Sequence, residues 1–348
     1  MTGVGPLSAL EYGVLAEKSG FDTLWLPDHF VDQSAPNGDR VEPWSVLTAV
    51  ALKTKKIRLA SGVTDTQRTH PTRTAQAVAC LDEVSHGRAV LGIGAGEAMN
   101  IVPFGLPWEK PHERLARLAE AIQVVRALWS SSPENAATFS GQYYRLENAF
   151  LSQSPRQKPH PPIYVGAHGS RSGLQVAGQL GDGWYAWYNT PDTFRKRWAI
   201  IKEAAESAGR APEQIRSNSH IGVAFPRNTR EEKTALLACK GTLLLERSLL
   251  SSTGYETDIQ LSHYQNLLLS NGILGINRGL AARHITEAAA RIPDDLVYRV
   301  MAIGGAEEVQ EKIEELATAG VKEFAVVDLL KQKKRTLRLF RRIIRSYR

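Results

Sequence analysis

The sequence predicts a TIM-type (β/α)8 barrel, an α/β fold, from three observations. The 348 residues, 43% of them hydrophobic, are enough for one large core, and a one-domain α/β barrel is common at that size. Short strand-like runs end in polar or glycine-rich turns and give way to helical patterns, the rhythm of repeated βα units around a parallel sheet. Seven such runs are readable, at residues 22–26, 57–63, 89–93, 162–166, 183–187, 219–225 and 323–328.

A helical pattern occupies residues 8–19, so only residues 1–6 remain for a first strand, which is short or missing. A barrel without it leaves two sheet edges unpaired. The clearest helix, residues 112–129, sets Leu115, Leu118, Ala119, Ile122, Val125 and Leu128 in one stripe, the i, i+3, i+4 spacing of a core-facing surface. Residues 307–319 repeat the pattern with Val309, Ile313 and Leu316 and stop at Gly320, a residue suited to the left-handed turn that ends helices. Between residues 227 and 305 the strand rhythm lapses into charged and leucine-rich helical sequence. We read it as a helical insertion after strand 7, at the end of the barrel where loops wall the pocket. The whole, 1–348, is one domain ending in a basic helix at 331–348.

The net charge of +7 is uneven, because residues 331–348 hold nine Lys and Arg and no acid, leaving the rest at −2. No nucleic-acid partner is expected of so mildly acidic a body. In the tail, Leu337, Phe340 and Ile344 share one face, the period of a final barrel helix; weak contact with an anionic membrane surface is the alternative use of its arginines. No leader-like start and no run of 18 apolar residues is present, so a cytoplasmic protein is expected. Cys80 and Cys239 stand far apart without partners at ligand spacing; buried structural thiols are expected, with no disulfide and no metal site.

Three clusters fall at C-terminal strand ends, where barrels carry their chemistry. In the first, Asp28 and His29 follow Trp25-Leu26-Pro27. A His beside a carboxylate can bind a polar ring or move a proton near neutral pH, and it can equally be a solvated loop pair. In the second, Gly92-Ile93-Gly94-Ala95-Gly96-Glu97, with Asn100 just after, alternating glycines admit close backbone approach and Glu97 stands at the mouth as acid or base. The spacing is not the G-x-G-x-x-G of a dinucleotide-binding turn. In the third, Gly166-Ala167-His168-Gly169-Ser170 leads into a helix; amides at such a start suit a phosphate, although an ordinary βα turn reads the same. The strand end Ala60-Ser61-Gly62-Val63-Thr64-Asp65 is unusually polar.

Together these clusters resemble the coenzyme F420-dependent branch of the luciferase-like family, which includes methylenetetrahydromethanopterin reductase, F420-dependent glucose-6-phosphate dehydrogenase and phthiodiolone ketoreductase. The likeness spans residues 11–190 and 296–330. It is most specific at Asp28-His29, at RAVLGIGAGE (88–97), at 108–128 and at PPIYVGAHGSRSGLQVAGQLGDG (161–183). The resemblance implies an F420-dependent oxidoreductase passing a hydride to or from a small organic substrate, methylenetetrahydromethanopterin reductase-like or ketoreductase-like. An FMN-dependent monooxygenase on the same fold and a non-catalytic ligand-binding barrel are the alternatives. It further implies that His29 and Glu97 are catalytic in proton transfer, and that Asp28 and Asn100 lie at the deazaflavin ring. A non-prolyl cis peptide at Gly62-Val63 would back that ring, Thr64 and Asp65 beyond the bulge would touch the cofactor's polar chain, and Gly166, Ala167, His168 and Gly169 would hold its phosphate. Arg68, Arg73 and Arg171 are implied for the acidic cofactor tail. A homo-oligomer is expected. The stretch 227–305 lacks an obvious Lys and Arg set for a sugar phosphate, which counts against glucose 6-phosphate.

Overall fold

Proline opens many of the helices of this chain, since its fixed φ suits the first helical position and its missing N–H would be unpaired there anyway. The computed structural model describes residues 5–31, 40–245, 249–250, 255 and 287–347. In order the elements are α1 Pro6–Ser19, β1 Thr23–Leu26, α2 Pro43–Lys53, β2 Arg58–Ser61, β3 Thr64–Asp65, α3 Pro71–Val84, β4 Ala89–Gly94, α4 Pro111–Trp129, β5 Ala137–Ser140, β6 Arg145–Ala149 and β7 Ile163–Gly166. Then follow α5 Arg171–Leu180, β8 Gly183–Tyr188, α6 Pro191–Ser207, β9 Arg216–Ala224, α7 Thr229–Leu245, α8 Asp294–Val300, β10 Ala302–Ile303, α9 Ala306–Thr318, β11 Glu323–Asp328 and α10 Lys333–Ser346. None of the helices among the described residues is long and apolar enough to cross a membrane.

The strands β1, β2, β4, β7, β8 and β9 lie side by side in that order, all parallel, and β11 pairs with β9. Side chains alternate between two faces, as the pleat requires. Leu24, Leu59, Leu91, Ile163, Val165 and Ile221 pack outward into the main core beneath the helices, while Trp25, Ala60, Val90, Tyr164, Tyr185 and Ala325 meet on the inner face. Trp25 on β1 lies 4.3 Å, centroid to centroid, from Tyr185 on β8, although four strand spacings of about 4.8 Å would separate them in a flat sheet. The sheet is therefore curled.

Among the described residues no backbone ladder joins its two edges. Among them β1 pairs only with β2, β11 pairs with β9, and no strand precedes α1. The expected eight-stranded barrel thus appears as a curl of seven main parallel strands with short β3 and β10 added. Side chains bridge the seam instead. The Glu323 carboxylate on β11 accepts from Arg58 of β2 at 3.2 Å, from Arg216 at 2.9 Å and from the Tyr164 hydroxyl at 2.8 Å. Burial alone would raise its pKa, but these three donors hold it below the usual carboxylate range. Outside, Phe21 and Phe340 meet across α1 and α10 with centroids 5.6 Å apart.

Other expectations shift. The run 57–63 breaks at Ser61 and resumes as β3, and the run at 219–225 begins already at Arg216. The antiparallel hairpin of β5 and β6 was not anticipated; its strands are only 4 and 5 residues long and largely exposed. In the expected insertion α7 and α8 are helical and β10 pairs with β9, so strand structure resumes before residue 305. Residues 246–248, 251–254 and 256–286 of that stretch lie outside the described residues. The basic tail is a helix, α10, burying Leu337, Phe340 and Ile343. Cys239 is buried, which pushes its thiol up to about 12, but Cys80 is exposed on α3 rather than buried.

Buried Arg88, just before β4, ties the base of the sheet together. Its guanidinium donates to the carbonyls of Ala51, Thr54, Ile57 and Ser85 and to the Thr54 hydroxyl. Several buried acceptors lose their donor in Arg88→Met, so we expect a loss of about 3 kcal/mol or more, read from the urea midpoint at constant m-value; an unchanged midpoint would refute this role.

Candidate active site

β1 ends against Pro27, and the chain leaves the sheet carrying Asp28 and His29. The loop is held from the side by Asn100, whose Oδ1 accepts the Phe30 amide at 2.7 Å and the Val31 amide at 3.1 Å. On the neighbouring loop, Gly96 takes φ +85°, a left-handed conformation that costs little only for glycine, and the chain turns to present Glu97. Arg114 of α4 donates to the Ala95 and Gly96 carbonyls at 3.5 and 3.4 Å. The two loops bring His29 Nε2 to 3.3 Å from Glu97 Oε2, with both side chains partly exposed at the mouth. Asn100 itself is buried, and its Nδ2 has no hydrogen-bond partner among the described residues.

Between β2 and β3 the Gly62-Val63 peptide is cis. The polar strand end has a reason here: the Ser61 hydroxyl donates to the Gly92 carbonyl at 2.8 Å and receives the Gly92 amide at 3.1 Å, replacing ladder bonds where the strand kinks away. Trp25 and Tyr185 support Gly62 from within, since a Cβ there would stand 3.2 Å from Trp25 Cβ and 3.1 Å from Tyr185 Oη. The Val63 methyls occupy space left open by Gly92, Gly94 and Gly166, at each of which an added Cβ would lie 3.0 Å from a Val63 methyl. Beyond the bulge, Thr64 donates to Asp28 Oδ2 at 2.6 Å.

The third cluster lies on the adjoining strand end. Gly166 seats Val63, the Ala167 carbonyl accepts the Trp184 indole at 2.9 Å, and His168 stacks on Trp187 at 5.5 Å. Gly169 has φ +145°, and a Cβ there would come within 2.7 Å of the Arg197 guanidinium. Ser170 caps α5 by accepting the Gly173 amide at 3.2 Å. The first amides of such a helix lack intrahelical acceptors and favour an anion. Arg197, buried on α6, donates to Asn189 Oδ1 at 2.8 Å.

The structure thus gathers Asp28, His29, Gly62, Val63, Thr64, Glu97 and Asn100 at one strand mouth, with Gly166, Ala167, His168 and Gly169 on the next rim. Each of the three arginines expected at an acidic tail has a partner within the protein. Arg68 is buried and bonded to Asp65, Asp28 Oδ1 and the Asp28 carbonyl, Arg73 bonds Gln76 at 2.6 Å, and Arg171 pairs with Glu203 at 3.1 Å. Sequence reasoning missed Arg114, Arg197, Asn218 and His220. Arg197 had a signal, being a cation in the stripe of Phe194, Trp198 and Ile201. Asn218 and His220 alternate with the outward Ile221 and so face inward; Asn218 Oδ1 is buried without a partner among the described residues. The His220 Nδ1 lies 2.6 Å from the Ala186 carbonyl, and burial holds its pKa down to about 4.

The luciferase-like monooxygenase family model matches residues 2–323 of the chain. A 5,10-methylenetetrahydromethanopterin reductase of Archaeoglobus fulgidus is 31% identical over 320 residues, 90% of this chain and 87% of that protein. An F420-dependent glucose-6-phosphate dehydrogenase of Amycolatopsis mediterranei is 35% identical over 230 residues, 64% of this chain and 67% of that protein. The solved structure of an F420-dependent secondary alcohol dehydrogenase in complex with an F420-acetone adduct matches with TM-score 0.81 at 26% identity, covering 100% of this chain and 96% of that one.

Asn100→Ala removes the acceptor for two loop amides, and we expect a loss of about 1–2 kcal/mol with faster hydrogen exchange at Phe30 and Val31; unaltered exchange there would show that the loop is held otherwise. His220 adds a pH dependence. Above pH 6.5 its ring is neutral folded and unfolded, and between 6.5 and about 4 the unfolded chain takes a proton that the folded chain refuses. Stability should therefore fall across that window by about 3 kcal/mol, and His220→Gln should flatten the slope of unfolding free energy against pH; an identical slope in the variant would count against this.

Proposed function

Since the chain belongs to the luciferase-like monooxygenase family, we propose that it is a coenzyme F420-dependent oxidoreductase transferring a hydride between the deazaflavin and a small organic substrate. The observation that carries this reading is the His29–Glu97 pair at 3.3 Å, beside the glycine-seated Val63 and one rim away from a helix start suited to phosphate. We take the curled sheet as a (β/α)8 barrel whose mouth is this site.

The residues present fit such a cofactor. Val63, fixed from behind by Gly92, Gly94 and Gly166, offers an apolar backing to a flat ring. The unpartnered Asn100 Nδ2 supplies a buried donor for a ring acceptor, and such a donor is costly unless something accepts from it. Gly166, Ala167, His168 and Gly169, with the amides opening α5, would hold a phosphate. Asp28, expected at the ring, also positions the loop that bears His29, because its carboxylate accepts from Thr64 and Arg68. When bound, a deazaflavin supplies or accepts a hydride at its ring carbon as nicotinamide does.

The chain's own work is orientation and proton balance. A hydride arriving at a carbon joined to oxygen or nitrogen leaves that heteroatom needing a proton, and His29 Nε2 and Glu97 stand together to provide or remove it. The pair suits a C=O or C=N substrate, in line with the reductase, dehydrogenase and alcohol dehydrogenase names of its relatives. We place the substrate in the pterin reductase or ketoreductase class.

Titrating the purified protein with F420 should quench deazaflavin fluorescence, and the reduced cofactor should be oxidised by a methylene pterin or a ketone. Copurified yellow FMN without F420 binding would point to a monooxygenase instead. His29→Ala and Glu97→Gln should each lower turnover about 10²-fold or more with circular dichroism unchanged; wild-type rates in both would remove the proton-transfer roles.

A further inference from the structure

The nine positive charges of the tail are not all spread on a solvated face. At the end of the sheet opposite the mouth, the last turn of α1, the turn into β1, the start of β2 and the second half of α10 line an open cavity of 520 Å³. Five cations line it: Lys18, Lys56, Arg58, Arg341 and Arg345. Arg341 and Arg345, four residues apart, lie along one flank of α10, beside the stripe of Leu337, Phe340 and Ile343 that the helix buries.

The acids present do not neutralise this set. Glu17 and Asp22 also line the cavity, leaving an excess of three positive charges. The Glu17 carboxylate is already spent on the amides of Lys55, Lys56 and Ile57, at 3.0, 2.6 and 2.9 Å, and so fixes the rim rather than pairing with a side chain. Arg58 pairs with Glu323. Lys18, Lys56, Arg341 and Arg345 make no ion pair among the described residues. Like charges gathered this closely repel, and a concave surface with low-dielectric walls concentrates their field. The arrangement is relieved by an anion.

We propose that this cavity binds a compact soluble polyanion carrying two or more phosphate groups. Its volume lies within the range of small-molecule sites, roughly 300–1,000 Å³, and paired arginines match phosphate oxygens in fork geometry with lysines as point charges. A lipid headgroup offers the same chemistry on a plane. A flat bilayer would engage the exposed Arg338 and Arg342, which do not line the cavity, as readily as Arg341 and Arg345.

The test is calorimetric titration of the full chain with inorganic triphosphate at low salt. We expect saturable binding that weakens about tenfold or more in the double variant Arg341→Gln, Arg345→Gln. The double variant Arg338→Gln, Arg342→Gln, which removes the same charge from the same exposed helix, should bind nearly as the parent does. Equal weakening in both variants would mean a diffuse charge effect and overturn the site, as would absence of binding. Sedimentation with phosphatidylglycerol vesicles, reduced alike in both variants and unaccompanied by triphosphate binding, would overturn it in favour of a membrane surface.

Discussion

Arg68 brings one buried positive charge between two carboxylates, Asp28 at the end of β1 and Asp65 just past the bulge, and also reaches the Asp28 carbonyl. The face of its guanidinium lies over the Phe30 ring at 4.7 Å. A guanidinium removed from water is tolerable only when its fork of donors is met, so the three groups hold one another in a single arrangement. The loop carrying His29 and the bulge carrying Val63 leave neighbouring strands just beyond the last ladder bond, from the Gly62 amide to the Leu26 carbonyl. Past that bond the charged knot holds them together, with Thr64 adding its bond to Asp28.

A second polar hub stabilises the other end. Glu323 accepts from Arg58, Arg216 and Tyr164 inside the curl, and the inner aromatic residues Trp25 and Tyr185 stand above it. The interior is thus layered: ionic at the base, aromatic in the middle, and small at the top, where Gly92, Gly94 and Gly166 leave room. The bond from Arg58 on β2 to Glu323 on β11 spans the seam, where no backbone ladder joins the described residues.

Much of this was legible in the sequence where a short-range pattern reports on a short-range cause. The strands could be read because buried parallel strands are continuous apolar runs, and the helices because their stripes are regular. Gly62, Gly92, Gly94 and Gly166 were recognisable as places of close approach, though nothing local said that the approaching group is Val63. Long-range partnerships were hidden. Arg68 looked like a ligand for an acidic tail because an arginine's partners, here residues 28 and 65, cannot be read from its neighbours. Asn218 and His220 were unremarked because polar residues within a barrel interior interrupt no outward stripe. The hairpin of β5 and β6 escaped because strands of 4 and 5 residues are too short for a period of two to stand out. The curl of the parallel sheet was expected from the rhythm of βα units, but strand count alone does not reveal which edges meet.

The seat of Val63 has a consequence for how such a mouth can change over time. The methyls of one residue and the missing side chains of three glycines on two other strands share one volume. Enlarging Gly94 or Gly166 would require residue 63 to shrink or the bulge to rise toward whatever lies upon it, while Gly92 is fixed besides by the Ser61 carbonyl, 2.1 Å from where its Cβ would stand. Residues far apart in the chain are therefore bound into one accounting of space, and variation among them should be correlated. The loops of the rim, which take no part in that volume, are free to diversify one residue at a time.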